Sequence, residues 1–247
     1  MIDPALFINE SICDLEDILF KDRYFAVSVF AGAAGAISDD LIDNANLDSY
    51  SQIALLIPEL ERPVPNSDRT GLLHAFNSGL INLLPAHFIE KSNYVIRGYN
   101  KAQIDSLRLS NPKIKNAEII DIKNRAGGYS VLFLYSLLFP KRVSTLNGVD
   151  EKYDPSERFN PSKNKAFYDY GAWSSRIDDL WDEVKDRARK MKQLATEGCI
   201  TWNSIKKESK YVFEGLALYY PRRRVTKVFA NYFAPLIEES ITKRYNL

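Results

Sequence analysis

Cysteine is scarce in this chain of 247 residues: Cys13 and Cys199 are the only two. Two cysteines make no disulfide framework, which leads us to expect a reducing, cytoplasmic setting. No charge sign dominates either, since the formal net charge is +1. That argues against a nucleic-acid or anionic-membrane surface as partner. The basic runs at Arg222–Arg224 and between Lys185 and Lys192 are local. The longest apolar run, Val131–Phe139, is too short to cross a bilayer. The acidic opening MIDPALFINESICDLED lacks the basic stretch of a signal peptide. Histidine is nearly absent, and His74 and His87 stand 13 apart with no carboxylate or cysteine at ligand spacing, so they read as core-edge or solvent residues. No stretch alternates apolar and polar residues as a strand would, and no long repeat is visible.

What remains is helical. With 45% apolar residues the chain can bury a full core. The 3.6-residue period predicts helices over Glu10–Lys21 with Ser11 as N-cap, Tyr24–Ile42, Asp48–Leu60, Thr70–Lys91 with a kink at Pro85, and Val95–Arg108. Further helices are expected over Ala117–Leu138 (broken at Gly127-Gly128), Ala166–Gln193, Trp202–Leu218 and Val225–Tyr245. Arg62–Ser67 is a two-proline break, and Pro140–Lys165 is a long irregular loop or lid. The expectation is an all-α fold, one domain over 1–247, with roughly eight to ten helices of ordinary length.

Two stretches carry chemistry. Phe30–Asn44, FAGAAGAISDDLIDN, runs from small and apolar residues into Asp39, Asp40 and Asp43. Gly171–Asp186, GAWSSRIDDLWDEVKD, repeats the spacing at Asp178, Asp179 and Asp182. On a helix the first and last aspartate of each pentad sit one turn apart, with the second about a quarter turn away. Three carboxylates closing an apolar helix repel one another and resist desolvation, so they call for a cation. One such pentad alone is most often a solvated helix end; two of them weaken that reading. Neither has the glycine and distant glutamate of a calcium-binding EF-hand loop. Gly32 and Gly35, unfavourable in an exposed helix, suggest close packing or room for a ligand.

Paired DDxxD motifs resemble those of the class I isoprenoid synthases, and other residues extend the likeness. Gly171 stands seven residues before Asp178, as in that family's GxxFQxxDD pattern, and KNRAGGY at 123–129 occupies the place of its lysine-threonine motif. The resemblance implies a helical bundle around a central apolar cavity. It implies three magnesium ions, bound together with diphosphate between Asp39, Asp40, Asp43 and Asp178, Asp179, Asp182. It also implies a diphosphate-binding cation: Lys123, or Arg125 as its competitor. Lys185, Arg222 with its neighbours Arg223 and Arg224, and the pair Arg244-Tyr245 are further candidates. The implied substrate is an allylic prenyl diphosphate of geranyl to geranylgeranyl length, and family members are usually homodimers.

The departures bear on function. The Gly-Lys-Arg cluster that binds isopentenyl diphosphate in chain-elongating members has no counterpart in Met1–Phe30. NANLDSYSQ follows Asp43 where those enzymes have an arginine pair, and Ser174-Ser175 replaces their Phe-Gln. The expected activity is therefore transfer of an allylic prenyl group to an acceptor that is not isopentenyl diphosphate. The alternatives are a terpene cyclase, which needs no acceptor, and a non-catalytic partner subunit. Six retained aspartates weigh against the last, because buried carboxylates without a cation only destabilise.

Overall fold

A computed structural model of the protein describes residues 4–20, 23–43, 68–83, 98–111, 113–138, 163–183, 187 and 193–235. All the regular structure among them is helical. In order, α1 is Pro4–Glu16, α2 Arg23–Asp43 and α3 Asp68–Leu83. Helix α4 spans 98–106 and runs into a 3-10 turn at Leu107–Ser110. Then come α5, Asn116–Leu138; α6, Lys163–Trp181; α7, Trp202–Ala217; and α8, Arg222–Val228, which passes into a π turn at Phe229–Phe233. The expected helix at Asp48–Leu60, the Arg62–Ser67 break, Pro85, His87 and nearly all of the Pro140–Lys165 loop lie outside the described residues.

Three sequence expectations are corrected. Helix α1 starts and ends earlier than Glu10–Lys21, and Ser11 is a buried mid-helix residue whose hydroxyl donates to the Ile8 carbonyl at 2.7 Å. Its stop is a C-terminal double bond: Ile18 N–H reaches the Cys13 carbonyl and Asp17 N–H the Asp14 carbonyl, with Asp17 at φ 61°. Second, α5 runs unbroken through Gly127-Gly128. A Cβ on Gly127 would fall 2.5 Å from the Gly171 carbonyl oxygen, so these glycines let the backbones of α5 and α6 cross in contact. Third, the last described helix begins at Arg222 rather than Val225, directly after Pro221, where a proline's missing N–H costs nothing.

The antiparallel pair α5–α6 forms the centre, and its contact is the most extensive between helices among the described residues. Tyr135 stacks on Phe167 at 4.2 Å near one end, while Lys123 meets Asp179 at the other. Trp173, Tyr135, Tyr170 and Phe167 are the largest fully buried side chains among the described residues. The polar tips of these aromatic side chains each have a partner, as burial requires. Trp173 Nε1 donates to the Ile205 carbonyl at 3.1 Å, and the Tyr170 and Ser11 hydroxyls meet at 2.6 Å. Phe229 and Phe233, from the π turn, close over Trp173 at ring distances of 5.2 and 4.7 Å.

Helix α1 lies against this centre. Its C-terminal acids hold the C-terminal helices: Glu16 accepts from the Tyr220 and Tyr135 hydroxyls, Asp17 pairs with Arg224, and Asp14 pairs with Lys227 and accepts from Tyr232. Helix α2 folds back antiparallel on α1 after a short connection, with Asn9 Nδ2 donating to Ser28 Oγ at 2.6 Å. It also packs against α3 and α5. There the ring of Phe30 fills the notch left by Gly79, and the Tyr99 hydroxyl approaches Gly35.

Candidate functional site

Lys123 and Asp179 meet where α5 begins and α6 ends. The antiparallel crossing at Gly127 and Gly171 sets their register: Lys123 stands about one turn before Gly127 and Asp179 about two turns after Gly171, so both lie on the same side of the crossing and the long lysine side chain spans the difference. Lys123 Nζ lies 2.7 Å from Asp179 Oδ1, with the side chains 17% and 3% exposed. Asp179 Oδ2 accepts the backbone N–H of Leu194 at 3.3 Å. Burial pushes the Asp179 carboxyl above the usual carboxylate range, and the Lys123 ammonium and the Leu194 N–H only partly oppose that. The neighbouring Asp182 pushes in the same direction as burial.

The other two aspartates of this pentad sit differently. Asp178 is exposed and Asp182 half-buried, and Asp182 N–H bonds the Asp178 carbonyl at 2.9 Å, so the helical turn continues between them. One turn upstream, Arg176 ties three helices together, pairing with Glu208 of α7 and donating to Asn124 Oδ1 of α5 at 2.6 Å. Its Nε is buried and finds no hydrogen-bond partner among the described residues. Arg176 is not among the residues expected from the sequence, although it stands three residues before Asp179 and its partner Asn124 adjoins Lys123. That i, i+3 spacing was the available signal. Nor is the turn after α6, which supplies the Leu194 N–H, among those expectations. That turn closes with Cys199 N–H on the Leu194 carbonyl and Gly198 N–H on the Ala195 carbonyl, Gly198 standing at φ 70°.

The remaining candidates fall elsewhere. Arg125, the rival of Lys123, is held by Asp105 at 2.8 Å and Asp121 at 2.9 Å, so its charge fastens α4 to α5. Arg222 pairs with Glu214 at 2.5 Å and lies over the Phe213 ring, and Arg224 pairs with Asp17 at 2.5 Å. These contacts offset three cations at a helix N-terminus, where the helix dipole disfavours them. Lys185, Arg244, Tyr245 and His87 lie outside the described residues, as do the side chains of Asp39, Asp40 and Asp43.

The backbone of α2 is helical through Asp43, which bears on the first pentad. Asn9 joins Ser28, and Ser11 joins Tyr170, so Ser28 and Tyr170 share nearly one level of the bundle. From that level α2 runs about 16 Å to Asp39 and α6 about 13 Å to Asp179, at ~1.5 Å per residue. Both helices run away from the end where Glu16 meets Tyr135. The two aspartate-bearing helix ends therefore leave the bundle in the same direction.

Magnesium takes hard oxygen ligands, typically one or two carboxylates completed by water and phosphate oxygens. Asp178 and Asp182, one turn apart at a helix end, fit that demand; Asp179, held by Lys123, does not. Among the described residues no three acidic, histidine or cysteine side chains gather to hold a metal.

No protein-family profile matches the chain, and neither a curated protein nor a solved structure matches it. None of the helices among the described residues is long and apolar enough to cross a membrane.

Proposed function

We propose that this protein is an atypical class I isoprenoid synthase: it ionises an allylic prenyl diphosphate and transfers the prenyl group to an acceptor other than isopentenyl diphosphate. The observation that carries the reading is the 2.7 Å contact between Lys123 and Asp179. Two sequence motifs that resemble the diphosphate-binding and metal-binding segments of one family are neighbours in space. The shared direction of the α2 and α6 ends supports it further.

Within this reading Lys123 donates a charge-assisted hydrogen bond from its ammonium to a diphosphate oxygen. Magnesium would supply neutralisation of the charge that develops on the leaving diphosphate. The C–O bond breaks with both electrons leaving on diphosphate. The allylic carbocation then bonds to a nucleophile of the acceptor, which loses a proton. Aromatic side chains around Tyr99, Phe133, Tyr129 and Tyr168 suit such a cation, because they offer π faces with few strong nucleophiles. A homodimer is part of the proposal, from the same resemblance.

A cyclase is the second reading, favoured by the absence of an isopentenyl diphosphate site in Met1–Phe30. Product analysis by mass spectrometry separates the two. Geranyl, farnesyl and geranylgeranyl diphosphate are each supplied alone, with isopentenyl diphosphate, and with cell extract. The transferase releases diphosphate slowly with allylic substrate alone and faster with extract, giving a new prenylated compound. Rapid formation of a terpene hydrocarbon without acceptor replaces it by the cyclase. Efficient chain elongation refutes the claim about isopentenyl diphosphate, and no diphosphate release under any condition refutes both enzymes.

A further inference from the structure

The three aspartates of the second pentad are not equivalent. Asp178 is exposed and Asp182 half-buried, whereas Asp179 is 3% exposed with both oxygens engaged. Oδ1 holds the Lys123 ammonium at 2.7 Å and Oδ2 the Leu194 N–H at 3.3 Å. A magnesium ion would need one of those oxygens at about 2.0–2.1 Å. It would have to enter beside an ammonium that repels it in a poorly solvated place. Lys123, for its part, spends one of three N–H bonds on Asp179, which leaves two for another anion.

The geometry points to a division of labour: Asp179 is a positioning residue that aims Lys123 at diphosphate, and the metal contacts of this pentad belong to Asp178 and Asp182. This rests on the isoprenoid-synthase reading and assigns roles within it. Anchoring by the Leu194 N–H fixes the carboxylate, and a fixed carboxylate fixes the ammonium. A long lysine side chain otherwise loses much rotamer freedom on binding an anion.

The test uses the full chain with manganese and pyrophosphate as probes, manganese followed by electron paramagnetic resonance and pyrophosphate by calorimetry. Asp179→Asn should keep manganese, measured with pyrophosphate present, within about threefold of wild type, while pyrophosphate affinity falls about tenfold, the scale of one lost charge-assisted contact. Lys123→Met should show the same split. The double variant Lys123→Met/Asp179→Asn, which leaves no lone buried charge, should bind pyrophosphate no more weakly than the single variants and still bind manganese. Asp178→Asn should lose manganese. Manganese loss in Asp179→Asn and the double variant, or pyrophosphate losses that multiply in the double variant, would overturn the assignment while leaving the enzyme reading intact. A wild type that binds no manganese–pyrophosphate would overturn both.

Discussion

Replacing Lys123 by methionine tests the central ion pair without any ligand. The variant keeps the apolar stem and deletes the ammonium, so the 3%-exposed Asp179 carboxylate keeps only the Leu194 N–H. Breaking a buried pair from one side costs about 3–5 kcal/mol when both partners are deep. Lys123 is 17% exposed, which places the expected loss near the lower figure, about 3 kcal/mol at pH 8.

That loss should depend on pH, with a definite sign. The folded-state pKa of Asp179 is already raised, chiefly by burial, and removing the ammonium raises it further. A group whose pKa is higher in the folded state stabilises fully below its unfolded value, near 3.9, and that contribution is lost as pH rises through the folded value. Lys123→Met should therefore stand close to wild type at pH 4.5 and lose up to about 1.4 kcal/mol per pH unit above that, until its carboxyl ionises in the fold. Adding Asp179→Asn should restore most of the stability and flatten the profile. Urea unfolding at half-unit steps from pH 4.5 to 8 measures all of this. A loss below about 1 kcal/mol that is also flat with pH would show that the pair is not buried as described, since surface pairs contribute about that little.

Four other outcomes follow from the packing and the charges. Gly127→Ala should destabilise by about 1–3 kcal/mol, because the new methyl meets both the Gly171 carbonyl oxygen and the Ser175 side chain, and the backbone oxygen cannot swing aside; a melting temperature at or above wild type would refute the crossing. Gly215→Ala, in α7 with nothing near the added Cβ, should instead stabilise by up to about 1 kcal/mol in the same measurement. Arg125→Gln should lower the melting temperature through its ties to Asp105 and Asp121 yet leave pyrophosphate affinity unchanged; a large affinity loss would restore Arg125 as the diphosphate cation. Magnesium with pyrophosphate should raise the melting temperature strongly and magnesium alone weakly, since stabilisation follows the free energy of joint binding; equal shifts would contradict a shared site.

Helical periodicity made most of the described helices legible, because an apolar stripe at 3.6-residue spacing is a local signal; Tyr24–Ile42 and Trp202–Leu218 differ from α2 and α7 by a single residue at the ends. Glycine was misread as a break in α5 because a lone sequence shows only its propensity cost. The compensating contact lies on Gly171, in a separate helix far along the chain. Ser11 and Asp17 mislead in the same way. The serine resembles an N-cap, but its hydroxyl is wanted by Tyr170, and the aspartate accepts a left-handed conformation while Arg224 holds its carboxylate. The pentads could be read by spacing alone, but spacing treats their aspartates as interchangeable. The α5–α6 crossing makes them unequal: it turns Asp179 toward Lys123 and leaves Asp178 outside, so one position along the helix separates a solvent-exposed carboxylate from a buried one that holds a lysine.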